Sequence, residues 1–121
     1  MKKNTLLILI IVIIIACISC SKPEPQITYL EEFPHIPRRE GMTLDDLQEA
    51  EEGQFSQATY TLKDANYENF LTQYKDLLIK DGWEVIQDEP PRTLSMGKGE
   101  RIAVFILDES DSNLRLMLLS K

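Results

Sequence analysis

The chain has 121 residues, 43% of them hydrophobic, with 13 basic and 20 acidic side chains, a net charge of −7 and two cysteines. That length leaves room for one small core, and basic residues scattered through an acidic chain argue against nucleic-acid binding and against docking on anionic lipid through a basic face. Both cysteines, Cys17 and Cys20, lie near the start, so the rest of the chain has neither a disulfide staple nor a Cys/His metal cluster.

Lys2 and Lys3 precede an aliphatic run from Leu6 to Ala16, the charged and apolar parts of a secretory signal. A helix from Thr5 to Ile18 would be about 21 Å long at 1.5 Å per residue, short of the roughly 30 Å of bilayer hydrocarbon. Ile14-Ile15-Ala16-Cys17 resembles a bacterial lipobox. The resemblance implies diacylglycerol on the Cys17 thiol, cleavage before it, and acylation by a fatty chain such as palmitate at the new amino terminus. Ile18-Ser19-Cys20 is the alternative processing point, and an uncleaved anchor helix or simple secretion are the alternatives to lipidation. Acyl chains contribute about 0.8 kcal/mol per buried CH₂, so two or three of them would hold the protein on a membrane. Without Lys2 and Lys3 the processed chain keeps 11 basic and 20 acidic side chains, net −9.

The expected organisation is a signal peptide and processing region over 1–19, an extended tether over 20–29 containing Pro23 and Pro25, and one domain over 30–121. Ile27 to Leu30 opens an apolar segment that continues through Phe33, Pro34, His35, Ile36 and Pro37, and its prolines confine it to an edge or cover strip. Met42 to Ala50 reads either as a short helix with Thr43 and Asp46 as a capping box, or as the first arm of a hairpin turning at Glu52-Gly53; the hairpin is preferred. Gln54 to Leu62 alternates, with Ala58, Tyr60 and Leu62 on the core side.

Tyr67 to Lys80 is the segment around which the rest is organised, because Tyr67, Phe70, Leu71, Tyr74, Leu77 and Leu78 fall on one helical face. Asn66 or Asp64 caps its start and Gly82 ends it. Four short strands follow, over 83–87, 93–96, 101–107 and 113–119, with breaks at Pro90-Pro91, Gly97-Lys98-Gly99 and Asp108 to Ser112. The pattern predicts an α+β fold: an antiparallel sheet of about 4–6 strands packed on one main helix in two layers.

The last two strands are apolar on both faces: Ile102, Val104 and Ile106 oppose Ala103, Phe105 and Leu107, and Leu114, Leu116 and Leu118 oppose Arg115, Met117 and Leu119. One helix covers one face. The Tyr29 to Pro37 strip is the expected cover for the other, with another chain, a ligand or a bare patch as alternatives, and Phe105, Met117 and Leu119 form the candidate interaction face.

Catalytic patterns are missing. His35, the sole histidine, follows a proline in an expected loop with no cysteine in the domain, no Gly-x-Ser-x-Gly elbow exists, and Gly97-Lys98-Gly99 is too short for a phosphate loop. Asp45, Asp46, Glu49, Glu51 and Glu52 lack calcium-loop spacing and read as a solvated acidic edge. Trp83 reads as core. Neither an enzyme, a cofactor nor a metal site is expected.

The residues Phe33-Pro34, Gly41, Ala58-Thr59-Tyr60, Phe70, Tyr74, Leu77 and Asp81-Gly82-Trp83-Glu84-Val85 resemble a group of small bacterial envelope lipoproteins without assigned activity. The order of elements is also similar to helix-grip domains in lipoproteins of the outer-membrane assembly machinery, a likeness of architecture only. Together these imply a lipid-anchored protein of the bacterial cell envelope on the non-cytoplasmic side, acting as an interaction or scaffold module with an envelope protein partner; the alternative is a binder of a small apolar ligand.

Overall fold

The computed structural model describes residues 26–110 and 113–121. The leader, both candidate lipidation cysteines and most of the tether lie outside the described residues. Among the described residues six strands, β1 (Met42–Gln48), β2 (Ser56–Leu62), β3 (Glu84–Glu89), β4 (Thr93–Lys98), β5 (Arg101–Ser110) and β6 (Asn113–Ser120), form one antiparallel sheet, with one helix, α1 (Phe70–Lys80), between β2 and β3. The strand order is β1-β2-β6-β5-β4-β3. The first hairpin therefore sits at one side, α1 carries the chain across, and β3 to β6 return as a meander until β6 closes on β2. The α+β expectation holds, with the sheet as its larger part, and Met42 to Gln48 is a strand of the preferred hairpin rather than a helix.

Helix α1 begins three residues later than the apolar periodicity suggested. Asn66 still organises its start: its Oδ1 accepts from the Glu68 amide at 2.9 Å and its carbonyl accepts from the amides of Asn69 and Phe70. Residues 67–69 thus form a tightened turn ahead of the regular helix. At the other end the Gly82 amide donates to the Ile79 carbonyl and the Trp83 amide to the Leu78 carbonyl, each at 3.0 Å, the paired bonds of a Schellman cap. Gly82 has φ +96°, a conformation that glycine adopts without a Cβ penalty. Phe70, Leu71, Tyr74 and Leu78 are buried, while Tyr67 and Leu77 are only half-buried.

Alternation along the strands decides the core. Ala58, Tyr60 and Leu62 of β2, Leu94 and Met96 of β4, Ala103, Phe105 and Leu107 of β5, and Leu114, Leu116 and Leu118 of β6 all point to the helix side and are buried. The Tyr74 ring lies 4.8 Å from that of Phe105, which marks where helix meets sheet. Trp83 joins this core, as expected.

The amino-terminal strip is a tight reversal rather than part of the sheet. Thr28 accepts from the Arg38 amide at 2.7 Å, Tyr29 bridges Pro37, and the Leu30 amide donates to Ile36 at 2.9 Å. Ordered pairing accordingly starts at Thr28, two residues before the expected domain boundary. Leu30, Phe33, Ile36 and Pro37 are buried.

Placement of the strip corrects one expectation. It packs on the same side as α1: the Tyr74 hydroxyl donates to the Pro37 carbonyl at 2.6 Å, the Tyr60 hydroxyl to Glu32 Oε2 at 3.0 Å, and the Arg39 guanidinium sits 5.1 Å from the centre of the Phe70 ring. One helix of 11 residues is too short to roof six strands. The strip completes the roof that α1 begins, and the second face of the sheet receives no cover among the described residues.

Candidate functional site

That second face follows from register. The pairs Val104–Leu119 and Ile106–Met117 put four aliphatic side chains side by side on β5 and β6, all of them half-buried. Phe105 pairs with Leu118 on the core side and is fully buried, so it does not belong with Met117 and Leu119 in an interaction face. Each strand's alternation is visible in the sequence, but matching β5 to β6 requires the cross-strand register, which pairs odd with even positions here. Val104 and Ile106 are the residues that sequence reasoning left out of the candidate site.

Polar residues frame this apolar stripe on both sides. Leu119 and Met117 pair outward with Gln57 and Thr59 of β2, and Val104 and Ile106 pair outward with Ser95 and Thr93 of β4. Ile102 extends the stripe toward one end of the strands, and Ile86, 60% exposed, closes it at the side by lying over Gly97. At the opposite end a depression of about 480 Å³ is lined by Thr59, Arg92, Ile106, Asp108, Arg115 and Met117.

Both sheet edges are guarded against strand addition. The β1–β2 register shifts between Leu44 and Asp46, and the β3–β4 register shifts between Val85 and Gln87. Carboxylates stand at each shift or beside it: Asp45, which accepts from the Thr61 hydroxyl, and Asp46 on β1, then Glu84, Asp88 and Glu89 on β3. Bulges and edge charges deter edge-to-edge pairing, so the face and not the edge is the surface open to a partner.

A second cluster lies at the end of the sheet where β6 finishes. His35 Nε2 is 3.0 Å from Ser120 Oγ, and Arg101 Nη1 is 3.3 Å from His35 Nδ1. A guanidinium only donates, so Nδ1 accepts and the ring proton sits on Nε2, which donates to Ser120. A serine nucleophile needs the reverse, an imidazole nitrogen free to accept its proton. Ser120 is also buried, 3% exposed. Burial first, then the charges of Arg101 and Lys98, hold the His35 pKa below its ordinary value, which keeps the ring neutral. The pair therefore ties the strip to the sheet and has the wrong polarity for hydrolysis. Sequence reading missed the pairing because 85 residues separate its partners.

Beside this cluster, a cleft of about 560 Å³ is bounded on its far side by the acidic residues Glu49, Glu51 and Glu52 of the β1–β2 loop. Among the described residues no three His, Cys, Asp or Glu side chains come together to hold a metal ion, and no helix is long and apolar enough to cross a membrane. Cys17 and Cys20 lie outside the described residues. No protein family, curated protein or solved structure matches the chain.

Proposed function

We propose that this protein is a lipid-anchored, non-catalytic interaction module of the bacterial envelope, and that the uncovered face of its sheet is where it meets a partner protein. One observation carries the reading: α1 and the strip share a single side, which leaves Val104, Ile106, Met117 and Leu119 only half-buried on the other. An apolar centre with a polar frame is the composition of a docking surface. The inverted Ser120–His35 pair supports a non-catalytic role, the lipobox-like Ile14 to Cys17 supports the anchor, and one helix with one strip on a single side of the sheet supports the likeness to helix-grip domains.

A photoreactive amino acid placed at Met117 in the full chain, activated in intact cell envelopes, tests this. A discrete protein adduct from Met117 that does not form from exposed Asp76 on the outer side of α1 is the expected result; no adduct, or equal adducts from both positions, overturns it. Intact mass of the membrane form tests the anchor separately: a chain starting at Cys17 or Cys20 with acyl mass is expected, and one retaining Met1 without acyl mass refutes it.

A second reading, a binder of a small amphiphilic ligand on the same face, is favoured by the depression that joins apolar Ile106 and Met117 to Arg92 and Arg115.

A further inference from the structure

The domain has five arginines, and three are engaged. Arg38 donates to the Met42 carbonyl, Arg39 donates to the Phe70 carbonyl and covers its ring, and Arg101 donates to His35. The remaining two, Arg92 and Arg115, make no side-chain hydrogen bond or ion pair with any described residue, and both line the same depression on the open face. Asp108, the register partner of Arg115, lines the depression with them, and Asp45, bonded to the Thr61 hydroxyl, stands on the other side of Arg115.

Backbone position puts these two exposed residues at the end of the apolar stripe. Arg92 follows the Pro90–Pro91 turn, and its carbonyl accepts from the Leu107 amide at 2.7 Å, which fastens the turn to β5. Arg115 stands on β6 one open-face position beyond Met117, level with Thr61 of β2. From there the stripe runs through Ile106–Met117 to Val104–Leu119, with rungs about 7 Å apart at roughly 3.4 Å per residue. It is two strands wide, and hydroxyl and amide side chains bound it on both sides.

We infer that Arg92 and Arg115 are the head-group end of a binding site for a single-chain anionic amphiphile, whose tail lies along the Ile106–Met117 and Val104–Leu119 rungs. The inference rests on the open face being the binding face. Planar guanidiniums match the oxygens of a carboxylate or a phosphate, and the apolar rungs supply favourable burial for a hydrocarbon chain.

The test uses the full chain in phosphatidylcholine nanodiscs, followed through the methyl NMR signals of Ile106 and Met117. Octanoate or octyl phosphate is expected to shift both signals saturably, and the better of the two distinguishes a free acid from a phosphate head group. Acetate and octyltrimethylammonium are expected to leave them in place. The double variant Arg92→Gln/Arg115→Gln should weaken the anion by about tenfold or more, the loss of charge-assisted hydrogen bonds, while the core methyls of Ala103 and Leu118 keep their positions and so report an intact fold. No saturable shift, an equal response to the cationic amphiphile, or undiminished binding by the double variant overturns the inference. If Met117 still crosslinks to a protein when no anion binds, protein docking survives and the ligand site falls.

Discussion

Arg101 Nη1 lies 3.3 Å from Nδ1 of His35, and this contact requires an imidazole without a proton on that nitrogen. A protonated ring loses the acceptor and faces the charges of Arg101 and Lys98; Glu32 on the strip and Glu100 beside Arg101 are the nearby carboxylates that line the same cleft.

Stability therefore depends on pH through His35. The folded pKa lies below the ordinary value of 6.5, so between the two the unfolded chain binds more protons than the folded one. The contribution is complete above about 6.5 and is lost as pH falls through the folded pKa. Urea midpoints measured from pH 8 down to 5 should fall over that lower range, and His35→Gln should flatten the slope there. A midpoint that rises on acidification in the wild-type chain would contradict the assignment.

Tyr74 joins helix to strip through a buried hydroxyl. Its bond to the Pro37 carbonyl is 2.6 Å long, and burial pushes the phenol pKa far up, so it stays a donor at any ordinary pH. Tyr74→Phe keeps the packing on Phe105 and leaves that carbonyl without its partner, at an expected cost of about 1–3 kcal/mol. Chemical denaturation measures the loss, and hydrogen exchange at the Leu30 and Arg38 amides should rise more than in β5, because the strip is what loosens.

Gly82 carries the helix stop. A Cβ at φ +96° meets only the Lys98 side-chain end, so the penalty of Gly82→Ala comes from the backbone and not from crowding, about 1–2 kcal/mol. Gly82→Asn should cost less, since asparagine enters that region more readily. Equal thermal shifts for the two variants would show that the cap is not held in this conformation.

Phe105 and Met117 separate the two faces. Phe105→Ala opens the core beneath Tyr74 and should cost about 3–5 kcal/mol, within the range for buried aromatics. Met117→Gln, on the open face, should change stability by well under about 1 kcal/mol and should weaken the octanoate shift read at Ile106. Similar destabilisation by both would mean that the second face is covered after all.

Much of the architecture was legible from local pattern. The 3.6-residue period over Phe70 to Leu78 gave α1, alternation over Ala58 to Leu62 gave β2, and turn residues such as Gly53 and Gly99 separated the strands. The start of α1 was read too early because Tyr67 continues the apolar period while residues 67–69 fold as a turn on Asn66. Periodicity reports which way a side chain points, not whether the backbone beneath it is regular helix.

The candidate site was half legible. Met117 and Leu119 belong to the open face, and their two-sided apolar strand showed that some face would need a second cover. Phe105 was misplaced because strand parity is relative: alternation sorts residues within one strand, and only the β5–β6 register says which set of one shares a side with which set of the other. Alternation along β6 puts Arg115 on the face of Met117 and Leu119, but its sharing a depression with Arg92 carried no local signal, because the two are far apart along the chain.

The amino-acid sequence by itself determined the elements, their order, the acidic surface and the lipobox-like start, because each depends on neighbours a few positions apart. Tertiary structure alone decided that strip and helix share one side, that His35 meets Ser120 and Arg101, and that Arg92 and Arg115 stand together at the end of an apolar stripe. Those are contacts between distant segments, set by how strands register and how much area a short helix can cover.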